Sequence, residues 1–320
     1  TEGTKVSWLL LAASGQISAR MVQIQMPCVA SNQLEPQIRT LELPRIEGAA
    51  QRFLTQYQAL EHSPNFLEDM MDRLGICGRD SEWLEMINKA YCLAQSDAYG
   101  LIQGEPGTGK ELIARLMHAC SPRAKATMVT LDCATLQEPL TESLLFGHVR
   151  GAFRGAYNDY KGKFQQAHGG TLFLDGISEL SLPAQSKLLR LIENGFIEKF
   201  GSTDPEPVNV RILAGSSRSL AELVNTGHFR EDLYQRLKLA EIRIKPLRDR
   251  RGDIPAIAFY WLSRPNSISE SPCALSSGAL DRLIEYEWPG NVRQLRNAIQ
   301  RSVMLCQNGL IESEDLEIPI

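Results

Sequence analysis

The 320-residue chain lacks most features that would commit it to a special environment. It has no long hydrophobic run. The longest near the start, Val6 to Ala13, is too short to cross a bilayer and has neither the basic flank nor the cleavage pattern of a signal peptide, so it reads as a strand. That points to the cytoplasm and away from a membrane. The seven cysteines (Cys28, Cys77, Cys92, Cys120, Cys133, Cys273, Cys306) contain no C-x-x-C pair, which argues for reduced, mostly buried thiols and against a disulfide frame or a zinc-thiolate site. Charge of one sign is missing too: a formal net charge of −4 gives no global nucleic-acid signature, and no local basic cluster stands out. What is present, 43% hydrophobic and 22% charged residues, suits an ordinary globular chain with one large core and a smaller unit.

Residues 1–75 read as a separate N-terminal regulatory segment and linker. A strand candidate is KVSWLLLAA, MVQIQMPCVA is another apolar stretch, and helix candidates are AAQRFLTQYQAL and NFLEDMMDRL. A receiver domain would end its first strand in metal-holding acids, whereas Ala12, Ala13 and Ser14 stand there, so the segment reads as a structural or dimerising module. From Ile76 the pattern alternates: a helix ending near Ala94, the strand YGLIQG, a helix from Lys110 to Cys120, then TMVTLD, TLFLD and VRILAGS, each separated by helical sequence. This predicts an α/β unit over 76–246, a parallel sheet with helices on both faces. After Pro246 only helical patterns remain, such as IPAIAFYWL and SGALDRLIEY, so a helical subdomain is expected over 247–320.

The strongest chemical motif is GEPGTGKE, comprising Gly104, Glu105, Pro106, Gly107, Thr108, Gly109, Lys110 and Glu111, between a strand and a helix. Glycines let the backbone curl so that its N–H groups face phosphate oxygens, the helix N-terminus adds a favourable dipole, and Lys110 reaches the β and γ phosphates. Glu111 occupies the position where a hydroxyl usually meets magnesium, so Thr108 and Asp175 become the candidate metal partners.

GEPGTGKELIARLMH, SLLFGHVRGAF, GKFQQAHGGTLFLD, FREDLYQRL, PLRDRRGDIP and WPGNVRQLRN resemble, in order and spacing, the central AAA+ domain of the sigma-54-dependent, enhancer-binding bacterial transcription activators. The resemblance covers roughly 76–320 and implies a RecA-like P-loop ATPase core with a helical lid. It further implies homo-oligomers from dimer to hexamer, an RNA polymerase holoenzyme partner, and promoter DNA contact through a C-terminal helix-turn-helix with no counterpart in this chain. By the same resemblance Asp175 would hold Mg2+ for ATP or another nucleotide, and Arg230 and Arg236 match fingers that reach a neighbour's γ phosphate. Arg293 matches the arginine that closes the lid over nucleotide. Without it, Arg230 and Arg236 read as a solvated helix face beside Glu231 and Asp232.

Departures from the family pattern cluster on hydrolysis and output. Where the family carries Asp-Glu at the strand tip, this chain has Asp175-Gly176, losing the glutamate that orients and deprotonates the attacking water. The asparagine that holds that glutamate is replaced by Asp132, and the polar pair on the next strand by Ser216 and Ser217. In the loop Gly151, Ala152, Phe153, Arg154, Gly155, Ala156, which in the family grips sigma-54, Arg154 replaces a threonine; as an isolated change it also reads as a tolerated loop variation. These losses suggest a degenerate member that binds nucleotide and oligomerises without fast hydrolysis, acting with polymerase that carries the housekeeping sigma. Two alternatives stand: an active ATPase that remodels sigma-54 polymerase, and an ATP-binding structural adaptor outside transcription. Relatives that regulate biofilm and motility bind cyclic di-GMP, and Arg115, with Arg73, is the candidate contact here, against a plain reading as solvated helix charges.

Overall fold

A computed structural model describes residues 21–25, 37–41, 65–135, 140–263, 273–306 and 309–318. The chain divides into two compact units, 1–66 and 67–320. In the first, β1 (Met21–Gln25) and β2 (Gln37–Leu41) pair antiparallel with Met21 opposite Leu41. The apolar stretch at MVQIQ is thus a strand, whereas the expected strand over 5–13 and helix over 49–60 lie outside the described residues. The helix expected at NFLEDMMDRL forms as α1 (Asn65–Leu74).

The second unit begins its α/β alternation with α2 (Ser81–Ala94), started by Asp80, whose carboxylate accepts from the N–H groups of Glu82 and Trp83. Trp83, Ile87, Ala90, Tyr91 and Ala94 recur at helical spacing and form its buried face. There follow β3 (Gly100–Gln103), α3 (Lys110–Ala119), β4 (Met128–Asp132), α4 (Leu140–Phe146), α5 (Lys163–Gln166), β5 (Thr171–Asp175) and α6 (Leu182–Asn194). A short hairpin, β6 (Phe196–Glu198) with β7 (Pro205–Pro207), leads into β8 (Arg211–Ser216), α7 (Leu220–Asn225), α8 (Glu231–Lys238) and β9 (Ala240–Arg243). Five strands form one parallel sheet in the order β4-β5-β8-β3-β9. Sequence reading missed β9, because its four residues alternate between buried Ala240 and Ile242 and more exposed Glu241 and Arg243, an edge pattern too short to register.

Strand order fixes where chemistry can happen. The chain starts in β3, jumps to the far edge at β4, returns through β5 and β8, and then crosses to the other side at β9. Loops that leave the carboxyl ends of β3 and its neighbours therefore diverge and open a crevice, the usual ligand position in such sheets. Register sets Asp132 opposite Asp175, Asp175 opposite Gly215, and Gln103 opposite Ser216 along that edge.

The lid comprises α9 (Ile254–Leu262), β10 (Ala274–Leu275), α10 (Ser277–Glu285), α11 (Asn291–Leu305) and β11 (Leu310–Ile311). Its core gathers Leu247, Ile254, Leu283, Leu295 and Ile299 around a fully buried Trp288, whose indole N–H donates to Leu283 O at 2.7 Å. The all-helical expectation needs one correction: β10 and β11 form a two-residue parallel pair, Ala274 opposite Leu310 and Leu275 opposite Ile311. Such a contact is set by tertiary proximity and leaves no period in the sequence. Among the described residues no helix is long and apolar enough to cross a membrane.

One buried cation ties α2 to the sheet. Arg211 is 0% exposed, and its guanidinium donates to Ala98 O, Ala94 O and Leu93 O at 3.1–3.2 Å, pairing carbonyls at and just beyond the end of α2, of which Leu93 O also accepts from Ser96 Oγ. Arg211→Ala should destabilise the unit by about 3 kcal/mol or more in urea unfolding, since each buried acceptor left unpaired costs about 1–3 kcal/mol; a loss below about 1 kcal/mol would contradict this assignment.

Candidate functional site

The loop between β3 and α3 is shaped by glycine where nothing else fits. Gly107 (φ +78°) and Gly109 (φ +102°) occupy left-handed backbone, and a Cβ at Gly107 would lie 2.3 Å from Gly290 O of the lid. Gly104 anchors the loop start through its N–H to Ser216 O at 3.1 Å. Lys110 is buried, and its ammonium donates to Gly104 O at 2.9 Å and Glu105 O at 3.2 Å. Burial pushes the Lys110 pKa down, and the neighbouring Asp175 carboxylate partly offsets that effect. A buried ammonium with loop carbonyls for partners, beside a curl of positive-φ glycines, fits an anion that takes over those hydrogen bonds.

Other expected loop residues are engaged differently. Thr108 is 1% exposed and its hydroxyl donates to Glu105 O at 2.8 Å, so it faces into the loop. Glu111 lies on the first turn of α3, where its carboxylate pairs with Arg115 at 2.6 Å. Asp175 ends β5, half-buried, and a Cβ at Gly215 would fall 2.9 Å from its Oδ1, so the neighbouring strand must be small there.

Sequence reasoning missed the partners of Glu105. Its carboxylate receives both Arg248 terminal nitrogens, at 2.9 and 2.5 Å, and Asn291 Nδ2 at 3.1 Å. The Arg248 hydrogen bond first, and Asn291 second, hold the Glu105 carboxyl below the usual carboxylate range. Asn291 Nδ2 also donates to Pro106 O at 3.1 Å, its Oδ1 accepts from Leu247 N at 2.7 Å, and Arg293 N donates to Gly107 O at 3.3 Å. Two non-glycine residues of this turn, Trp288 (φ 48°) and Asn291 (φ 53°), are left-handed, so the lid holds strained backbone where it meets the loop. Behind them Arg250 is buried, stacks 4.0 Å over the Trp83 ring, pairs with Asp253 at 3.6 Å and donates to Thr108 O at 3.3 Å. PLRDRRGDIP and WPGNV carried this signal, but pairing them with Glu105 needs the tertiary structure.

At the tip of β5 no side chain stands where a catalytic base would. Gly176 has φ +71°, and a Cβ built on it meets only Ala134 N at 3.7 Å and Ala134 Cβ and Glu179 Cγ at 3.9 Å. Room for a side chain exists; the backbone is what disfavours one, by about 1–2 kcal/mol. Asp132 is exposed and its Oδ1 accepts from Ala134 N at 2.9 Å. Glu179 accepts from Ser178 Oγ at 3.1 Å and lies 3.8 Å from Arg218. Ser216 is buried and donates to Arg218 O at 2.7 Å, while Ser217 is exposed.

The remaining expected residues lie away from the loop or are tethered by neighbours. In the segment Gly151, Ala152, Phe153, Arg154, Gly155, Ala156, the Gly151 N–H donates to Ala156 O at 2.8 Å, closing a turn with Arg154 exposed at its tip. Phe153 packs edge-on against His148 at 5.0 Å and near Phe200 at 6.0 Å, so its ring is folded back onto the body. Arg230 forks onto Asp232 at 3.0 and 2.6 Å and donates to Ser186 Oγ, while its N–H is fixed by the buried Gln185. Arg236 reaches Glu193 at 3.4 Å. Arg293 is exposed at the start of α11. Arg115 and Arg73 sit on α3 and α1, both exposed, and among the described residues no hydrogen bond or ion pair joins them.

Residues 76–243 match the Sigma-54 interaction domain and residues 248–320 match the AAA+ ATPase lid domain. The chain is 39% identical over 303 residues to the transcriptional regulatory protein ZraR of Salmonella typhimurium, covering 93% of this chain and 68% of that protein. It is 48% identical over 218 residues to the Nif-specific regulatory protein of Klebsiella pneumoniae, covering 68% of this chain and 42% of that one. Among solved structures, NtrX from Brucella abortus in complex with ATP superposes with a TM-score of 0.71 at 30% identity, covering 83% of this chain and 60% of that chain.

Removing the loop ammonium tests the anion cradle directly. Lys110→Ala should weaken ATP binding about tenfold or more in calorimetry, through loss of a charge-assisted contact worth about 1.5–3 kcal/mol. Unchanged affinity would mean that the cradle does not hold the phosphates.

Proposed function

Because this chain belongs to the AAA+ family of sigma-54-dependent transcription activators, we propose that it is a nucleotide-binding, self-associating transcription regulator that has given up fast ATP hydrolysis. The observation that carries this reading is Gly176: the strand tip keeps Asp175 and has no side chain at the position of the expected base. The buried Lys110 and the positive-φ loop fit a triphosphate, with Asp175 as the magnesium partner; magnesium, when bound, neutralises phosphate charge. Arg293, on the lid helix tethered to Gly107, would report occupancy by closing the lid. Arg230 and Arg236 would serve a neighbouring subunit's nucleotide, making assembly and nucleotide state depend on each other.

Without a positioned base, water attack on the γ phosphate loses the orientation and proton acceptance that such a group supplies. Output is altered in the same direction: Arg154 replaces a small tip residue, and Phe153 lies against His148 rather than outward. We therefore assign the regulator to RNA polymerase carrying the housekeeping sigma, with promoter contact through a separate DNA-binding domain. Cyclic di-GMP is the candidate controlling ligand: Arg115 is exposed, and its surface pair with Glu111 is weak enough for a phosphate to displace. The competing reading, an active ATPase that remodels sigma-54 polymerase, is favoured by one observation: Asp132 puts a carboxylate on the strand next to Asp175.

Steady-state ATP hydrolysis separates the two. Turnover should lie about 10²–10⁴-fold below that of a relative with an intact base, while ATP binding persists; a rate equal to such a relative would overturn the proposal. Gly176→Glu should raise turnover only in part, because the left-handed backbone resists the new residue and Asp132 is retained. In cells lacking sigma-54, regulated transcription from a target promoter should persist, and its complete loss would favour the remodelling ATPase.

A further inference from the structure

Three buried polar side chains meet where the lid, the phosphate loop and the segment between α1 and α2 come together. Asp253, fully buried just before α9, accepts through Oδ1 from the N–H groups of Arg79 and Asp80, the latter at 2.8 Å. Its Oδ2 lies 3.6 Å from Arg250 Nη1, and the same guanidinium donates through Nη2 to Thr108 O at 3.3 Å. The Trp83 ring covers that guanidinium at 4.0 Å. Asp253 Oδ2, Arg250 Nε and Trp83 Nε1 are buried with no hydrogen-bond partner among the described residues. Arg250 is therefore held by charge and stacking between two long contacts, and a small shift toward one lengthens the other. Burial pushes the Asp253 carboxyl up and the Arg250 guanidinium down, so each depends on the other to stay charged.

The segment 75–80 has little slack. A Cβ at Gly75 (φ +70°) would strike Tyr260 Oη of α9, and one at Gly78 (φ +151°) would strike Trp83 Nε1 and lie 2.9 Å from Asp253 Oδ2. At its end Asp80 caps α2. Along the chain, residues 1–64 lead through α1 into this segment, so a displacement of α1 is passed to the backbone that Asp253 holds. We infer that Asp253 and Arg250 are positioning residues that transmit the placement of the 75–80 segment to Thr108, and so set the affinity of the phosphate loop for the phosphate chain of a nucleotide. The route runs from the Arg79 and Asp80 N–H groups through Asp253 and Arg250 to Thr108 O. Linkage makes it reciprocal: a phosphate chain that fixes the loop must fix those two amides by the same factor. This inference rests on the reading of residues 104–111 as a phosphate cradle and not on the proposed loss of hydrolysis.

The probe is magnesium tripolyphosphate, a phosphate chain without base or sugar, added to the full chain during amide hydrogen exchange. With the probe bound, the Arg79 and Asp80 amides should exchange about fivefold or more slowly. In Arg250→Lys an ammonium keeps the charge beside Asp253 but cannot also fork to Thr108 O or stack as a plane. The probe should still bind that variant, while the slowing at Arg79 and Asp80 falls below about twofold. Asp253→Asn keeps an oxygen for the two amides and removes the charge facing Arg250, and it should lose the slowing in the same way. Amides inside β5 that stay slow in all three proteins separate a lost relay from a lost fold. If calorimetry finds no binding of the probe to the unmodified protein, the cradle reading and this inference fall together. Binding without slowed exchange at Arg79 and Asp80, or slowing that survives in Arg250→Lys, overturns this inference alone.

Discussion

The carboxylate of Glu105 accepts hydrogen bonds from Arg248 and Asn291, and these contacts join the phosphate loop to the lid. Glu105 is a loop residue with a depressed pKa, Arg248 stands just before the lid helices, and Asn291 opens α11. Any movement of the lid must break a forked ion pair and leave the Nδ2 of the fully buried Asn291 without its loop acceptors, the Glu105 carboxylate and Pro106 O. Positive φ at Trp288 and Asn291 is tolerated because this contact and the Trp288 core over-determine the turn. Gly107 completes the arrangement, since any side chain there would strike Gly290 O.

Around that clasp the molecule divides into a retained half and an altered half. Loop, lid and sheet register agree with one another, and each is supported by buried polar groups with partners, among them Arg211, Arg250 and Asn291. The altered positions, Gly176, Asp132 and Arg154, lie at strand tips or in an exposed turn where replacing a side chain costs little packing. Stability therefore does not oppose change at positions 176, 132 or 154, whereas loss of Glu105 or Asn291 would disturb the interface between subdomains.

Most of the α/β unit was legible because buried parallel strands such as TLFLD and RILAGS are short apolar runs between helical periods, and local sequence carries that contrast. The loop motif was equally legible, since glycine at left-handed positions and lysine at a helix start are local demands. The edge strand β9 and the pair β10–β11 were not, being too short for any period to show. The bond from Glu105 to Arg248 and Asn291 also escaped, because residues so far apart in sequence meet only when the lid folds over the sheet.

The amino-acid order by itself determined the parallel sheet, the phosphate loop and the absence of a carboxylate at position 176, all of which depend on residue type and near neighbours. Tertiary structure alone decided that Glu105 meets Arg248 and Asn291, that Arg211 reaches Ala94 O at the end of α2, and that Arg250 stacks on Trp83. Those outcomes depend on which groups compete for the same donor, acceptor or space, and that competition exists only once distant segments are packed together.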